Sequence, residues 1–210
     1  MRRVVLKRAG AAVLAFAAFG IACGDEGVGP GDDEPKTWRC SFMPLAVGNN
    51  WVFDTYDITW NEFEKFGELT MLITPKLRKV SGLFGYECEF SYSNPSSVTY
   101  ATFAYCRDTC FKYGDDKWWM FISMNMAGKQ ANDIFSGIPV RFVGREDVTV
   151  PAGSFADCMH LRGHGSVETI DVYYAEGVGP VYWSCEYGYE WPYPEFADLK
   201  LKSYQLKNPG

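Results

Sequence analysis

Seven cysteines and two histidines are the residues of this 210-residue chain with the widest chemistry open to them. Cys40, Cys88, Cys106, Cys110, Cys158 and Cys185 fall in the body of the chain, while Cys23 stands apart near its start. Six cysteines in one exported domain are expected to close three disulfides, with fifteen pairings open. In "YCRDTCF" Cys106 and Cys110 flank three residues that read as a hairpin loop, so a local bridge is one option and pairing elsewhere the other. His160 and His164 must carry any histidine-dependent catalysis. Cys158, His160 and His164 can be drawn as a metal trio, since residues two apart on a strand face the same way. A zinc-bound thiolate would however remove Cys158 from the even count, so no metal site is expected. Nucleophile-elbow, HExxH, P-loop and calcium-loop spacings are absent. The acids of "GDDK" (Gly114 to Lys117) belong to a turn, and a glycosidase-type carboxylate pair depends on a spatial separation that sequence does not reveal. No catalytic residue and no cofactor is assigned.

The stretch "YWSCEYGYEWPYP" concentrates aromatic rings. Trp183, Tyr187, Tyr189, Trp191 and Tyr193, with Tyr182 beside them, are candidate binding residues, because exposed rings offer apolar faces with polar edges to a glycan or a protein. Pro192 and Pro194 keep the tail from continuing as an inner strand. The competing reading has the same rings plugging an open end of a sheet.

Cys23 has a different context. Arg2, Arg3, Lys7 and Arg8 precede an apolar run from Ala9 to Ala22, which makes residues 1–22 a signal peptide by charge, apolar core and small-residue exit. The run is shorter than the roughly 20 apolar residues that a spanning helix needs. "GIAC" resembles the lipobox of bacterial lipoproteins, with Gly20 where that family usually has Leu. The resemblance implies acylation of the Cys23 thiol and a membrane partner held through that lipid; ordinary cleavage with a plain thiol is the alternative. Acylation would also account for the odd cysteine. The Arg2-Arg3 pair is similar to a twin-arginine signal, but disulfide formation favours the general secretory route. Residues 23–37 form the lipidated cysteine and an acidic tether: Gly24 to Thr37 holds four glycines, two prolines and five acids against one lysine. Such a segment has little to bury and is expected to be disordered, reaching roughly 20 Å. Gly24 stands where inner-membrane lipoproteins carry Asp, so the resemblance implies the outer membrane, facing periplasm or surface.

What remains, residues 38–210, suits one domain with a substantial core. The formal charge of −6 becomes −10 once the four cations of the signal peptide are removed. An acidic body lacks the Lys and Arg that phosphate backbones require, which excludes nucleic acid as a partner. Short alternating runs such as "WVFDTYDITW", "ELTMLIT", "YECEFSYS", "VTYATFAYC", "WWMFIS" and "DLKLKSYQL" predict a mainly β domain. The expected architecture is a single antiparallel, curved sheet or half-barrel of about ten strands with little helix. "NEFEKF" and "KQANDIF" are short candidate helical turns, and Met124 to Gly137 is the one long connection.

Three phrases, "PLAVGNNWVF" (Pro44 to Phe53), "VPAGSFADC" (Val150 to Cys158) and "YYAEGVGPVYW" (Tyr173 to Trp183), resemble an uncharacterised family of secreted bacterial lipoproteins. Similar phrases occur in proteins thought to share a curved sheet with the LolA-like and LppX-like carriers. The resemblance implies architecture and no catalytic residue. Physically the phrases are turns: Gly48-Asn49-Asn50 before a strand, Pro151 with Gly153 at positive φ, and Gly177 with Gly179 at a reversal. The expected role is a lipid-anchored cell-envelope protein that binds an envelope protein or glycan, or acts structurally, without catalysis. A carrier or sensor of apolar ligands in the sheet's concave face is the alternative, and a hydrolase the third option.

Overall fold

The computed structural model describes residues 39–59, 62–80, 83–114, 116–133, 136–166, 168–187 and 198–207. These residues form twelve strands: β1 (Asn50–Thr59), β2 (Glu62–Val80), β3 (Leu83–Ser93), β4 (Ser96–Cys106), β5 (Thr109–Gly114), β6 (Lys117–Ser123), β7 (Gln130–Asn132), β8 (Pro139–Val150), β9 (Gly153–His164), β10 (Glu168–Ala175), β11 (Gly179–Tyr187) and β12 (Asp198–Gln205). All pair antiparallel in one sheet of order β6-β5-β4-β3-β2-β1-β12-β11-β10-β9-β8-β7. Each strand thus lies beside its neighbour in sequence, and β1 closes onto β12. The ladder is interrupted only between β6 and β7, which touch without pairing, so the sheet is an up-and-down barrel with one open seam.

The expectation of a mainly β, curved antiparallel sheet holds, with β5 and β7 the two strands beyond the ten anticipated. β5 follows the tight turn at Arg107 and Asp108, and β7 lies within "KQANDIF", where a helical turn was expected. "NEFEKF" is not helical either: Glu62 to Phe66 opens the long strand β2. Its alternating Glu and Phe suit a strand near a sheet's end as well as they suit a helix, and pairing with β1 decides the matter.

Period-two patterning produces the core. On β12 Leu199 and Leu201 are buried while Lys202 is exposed, and on β10 Ile170, Val172 and Tyr174 face inward. Trp51, Phe53, Phe103, Phe121 and Tyr174 are fully buried, each contributing about 1.5–3 kcal/mol through the apolar surface removed from water. Trp51 is seated by a glycine: its indole N–H donates to the Val178 carbonyl at 2.6 Å, and a Cβ at Gly179 (φ 110°) would lie 3.2 Å from that nitrogen.

One rim, here called upper, carries the start of β1, the end of β12 and the β2–β3, β4–β5, β8–β9 and β10–β11 turns. The chain enters there and fills the barrel. Cys40, Phe42, Met43 and Leu45 are all buried, packed with the residues of the inner wall. This plug is clamped at several points. The Tyr105 hydroxyl donates to the Met43 carbonyl and accepts the Leu45 N–H at 2.5 Å. The Gly177 N–H donates to the Ser41 carbonyl at 2.7 Å, and the Gly48 N–H to Ile73 at 2.8 Å.

Beyond its short pairing with β7, β8 is an edge from Phe142 to Val150. Two register shifts and the sequence Arg145-Glu146-Asp147 roughen that edge, which discourages pairing with another sheet.

Candidate functional site

The outer wall over β9, β10, β11, β12 and β1 carries a polar cluster that spans five strands. Alternation points His160 and Arg162 of β9, Asp171 and Tyr173 of β10, Tyr182 of β11 and Lys200 of β12 to this side, opposite Leu161, Val172 and Leu199. The pairs His160–Tyr173, Tyr173–Tyr182 and Tyr182–Lys200 are direct cross-strand partners, so the side chains line up in a row. His160 stacks on Tyr173 at 4.3 Å and 13°, and Tyr173 on Tyr182 at 5.5 Å and 20°. The Lys200 ammonium then lies 5.9 Å from the Tyr182 ring and 4.8 Å from that of Tyr56.

Although it belongs to the outer face, His160 is only 2% exposed. Nδ1 meets Glu146 Oε1 at 2.9 Å, and Nε2 meets Asp171 Oδ1, which also accepts from Arg162 Nε at 2.7 Å. Both ring nitrogens are therefore occupied, and one ring face is covered by Tyr173. The two carboxylates sit on opposite sides of the imidazole and cannot converge on one ion or one substrate atom. The arrangement is a clamp across β8, β9 and β10 rather than an acid–base pair. At the other end of the row Asp198 Oδ2 accepts from the Tyr182 hydroxyl at 3.1 Å and from Lys200 at 3.3 Å. Burial raises the Asp198 carboxyl above its usual range, with Lys200 opposing the shift, and burial likewise raises Tyr173 and Tyr182. With each tyrosine face turned to its neighbour, the row presents edges to solvent and no open ring on which a sugar could stack.

The aromatic segment predicted for binding divides. Trp183 faces the core at 5% exposure and takes no part in an outer surface. That is a correction: Trp183 pairs with Val172 and Leu199, both inward, so the strand period fixes its side. Tyr187 ends β11 opposite Glu168. Tyr189, Trp191 and Tyr193 lie outside the described residues, as do the signal peptide, Cys23 and the tether.

The cysteines also depart from expectation. Cys40, Cys88, Cys110 and Cys158 are buried free thiols, so the anticipated three bridges are not formed. Cys106 pairs in register with Thr109, and Cys110 with Tyr105, which puts the two cysteines on opposite faces of the β4–β5 hairpin and rules out the local bridge. Cys185 is buried on the inner face of β11. Cys40 of the plug comes near Cys110: its thiol contacts the Ile122 carbonyl at 3.9 Å, and Ile122 is the register partner of Cys110. Burial raises Cys40 and Cys158 to about 11 and Cys88 to about 12, which keeps these thiols protonated and unreactive in the folded protein.

For the metal trio, Cys158 and His160 do share a face, but His160 is held by carboxylates and His164 Nδ1 meets Thr169 Oγ1 at 3.1 Å. No grouping of metal-ligating side chains occurs among the described residues. A depression of about 340 Å³ opens beside the seam, lined by Met126, Lys129, Gln130, Arg141 and Phe142. Its cations are engaged locally, Lys129 with Ser123 at 3.0 Å and Arg141 with Gln130 at 3.1 Å. Sequence reading missed the His160 clamp because Glu146, His160 and Asp171 are far apart in the chain; the available signal was that all three occupy outward positions of adjacent strands.

Two solved structures share the fold. An exported protein of YmcC-like fold from Bacteroides fragilis matches with a TM-score of 0.52 at 11% identity, over 80% of this chain and all of that one. A protein described as a lipoprotein from Parabacteroides distasonis matches with a TM-score of 0.51 at 16% identity, again over 80% of this chain and all of that one. No protein-family model matches the chain, and no curated protein matches it.

Proposed function

We propose that this protein is exported, anchored by lipid on Cys23 at the cell envelope, and acts there as a rigid, non-catalytic binding or structural element. The observation that carries the reading is the filled barrel. A carrier of apolar ligands needs a lined cavity of about 300–1,000 Å³, whereas here the inner face packs against Phe42, Met43 and Leu45 of the plug. Any partner must therefore be met on the outside. The resemblance to the LolA-like and LppX-like carriers is then one of export and sheet curvature, not of an apolar lumen. The His160 cluster spends its hydrogen-bonding capacity on itself, which favours a structural role over hydrolysis.

Export and lipid attachment of similar folds support the anchored reading, as does the signal-peptide pattern ending at Cys23. Membrane fractionation with native mass spectrometry tests it. The wild-type chain is expected in the membrane fraction, Cys23→Ser in the soluble fraction, and the released domain without stoichiometric bound lipid. A domain that carries one lipid molecule per chain in its interior would overturn the binding-outside reading in favour of the carrier.

A further inference from the structure

The upper rim, where the chain enters the barrel, differs in charge from the rest of this acidic protein. Arg39, Lys79, Arg107 and Lys207 are exposed there and make no ion pair among the described residues. The exposed acids on that side are Asp108, Asp147, Asp157 and Glu176; Asp157 pairs with Arg145 at 2.9 Å, and Glu176 accepts the Ser41 hydroxyl. The lower rim has the reverse balance, with Glu64, Asp116, Glu168 and Glu186 against Lys65 and Lys117.

Local contacts place the four cations around the plug. Arg39 adjoins Cys40, whose thiol meets Ile122 at the end of β6. Arg107 lies at the β4–β5 turn, whose Asp108 carbonyl accepts the Met124 N–H at 3.0 Å. Lys207 donates its backbone N–H to Asn49 Oδ1 and lays its side chain along Gly48. Lys79 stands near the β2–β3 turn, 5.3 Å from the Phe84 ring. Between these cations, Val47, Leu77 and Met124 expose 44%, 43% and 42% of their surfaces.

We infer that the upper rim, with its free cations and exposed apolar side chains around Arg39, docks on an anionic phospholipid bilayer. The inference rests on the anchored reading, because Arg39, the first described residue, stands at this rim and the lipid on Cys23 would lie 16 residues upstream in sequence. That length is short enough to hold the rim against the membrane, on the scaling of about 5–6 Å times the square root of the residue number. Cations attract the negative lipid surface, while valine, leucine and methionine can enter the interface. The acidic lower rim is repelled by the same surface, so orientation follows from the charge asymmetry.

Sedimentation of the mature chain, residues 23–210 carrying Cys23→Ser, with vesicles tests this without the lipid anchor. Vesicles of phosphatidylcholine mixed with phosphatidylglycerol are expected to bind it, those of phosphatidylcholine alone are not, and added salt is expected to weaken the association. On this background Arg39→Glu, Arg107→Glu or Lys207→Glu should each lower affinity by roughly five-fold or more, on the scale of a single charge near the surface. Lys117→Glu, which makes the same charge change at the lower rim, should leave affinity within about two-fold. Equal binding to both vesicle types, no binding, or an equal loss from Lys117→Glu would overturn the inference. The intact mass of the wild-type chain separates it from the anchor itself: an acylated protein whose Cys23→Ser form ignores vesicles refutes docking alone, whereas an unacylated protein that binds them refutes the anchor alone.

Discussion

Tyr105→Phe is the sharpest probe of the plug. The substitution keeps the ring and removes one hydroxyl, which serves the plug twice, as donor to the Met43 carbonyl and acceptor of the Leu45 N–H. Met43 is fully buried and Leu45 6% exposed, so water cannot readily replace the lost partner. A buried group left unsatisfied costs about 1–3 kcal/mol. Two such groups, with partial relaxation of a loop, give an expected loss of about 2–4 kcal/mol. For a domain of this size that corresponds to a fall in melting temperature of roughly 5–15 °C. Burial raises the Tyr105 phenol well above its ordinary range, so the clamp should persist at alkaline pH. The assay is thermal denaturation of wild type and variant, joined to hydrogen exchange at the Leu45 amide. Faster exchange at Leu45 together with the stability loss would support the clamp. A variant that melts within about 1 °C of wild type, with Leu45 equally protected, would refute the reasoning, since the plug would then be held by packing alone.

Gly179→Ala combines a φ of 110° with a Cβ 3.2 Å from Trp51 Nε1, and should cost about 2–4 kcal/mol in denaturant melts; a neutral result would mean that Trp51 is not seated as described. Asp198, raised by burial, holds a proton in the folded state after the unfolded chain has released it. Stability should therefore fall as pH rises through the window that begins near 3.8 and ends at its folded pKa, after which the cost is constant. Asp198→Asn should flatten that slope in melts taken across the acid range, and an unchanged or steeper fall would count against the assignment. Cys40, Cys88, Cys110 and Cys158 should resist N-ethylmaleimide in the native protein and each take one label in denaturant without reductant. Fewer labels after unfolding would favour the disulfides expected from cysteine number.

Much of the fold was readable because strand period writes burial directly into sequence. "DLKLKSYQL" showed its inward leucines and outward lysines, and the glycines of "YYAEGVGPVYW" marked a reversal where Gly177 and Gly179 do adopt positive φ. Short strands were harder. β5 merged with its neighbours in "YCRDTCFKYG", and the three residues of β7 carry too little pattern to separate strand from turn. The plug was illegible for another reason: Phe42, Met43 and Leu45 form an apolar run without periodicity, and what they fill exists only after twelve strands have curled around them. Cysteine number suggested three bridges, yet number carries no geometry, and Cys106 and Cys110 prove to face opposite ways. Trp183 misled similarly, because an aromatic-rich segment does not say which of its rings alternate inward.

The anchored, plugged barrel is tested most directly by the intact mass of protein extracted from its own membranes. The account predicts a mature chain beginning at Cys23 and carrying a thioether-linked diacylglycerol, with the same modification absent from Cys23→Ser. A mature product whose Cys23 bears an unmodified thiol, or one cleaved at another position, would contradict it.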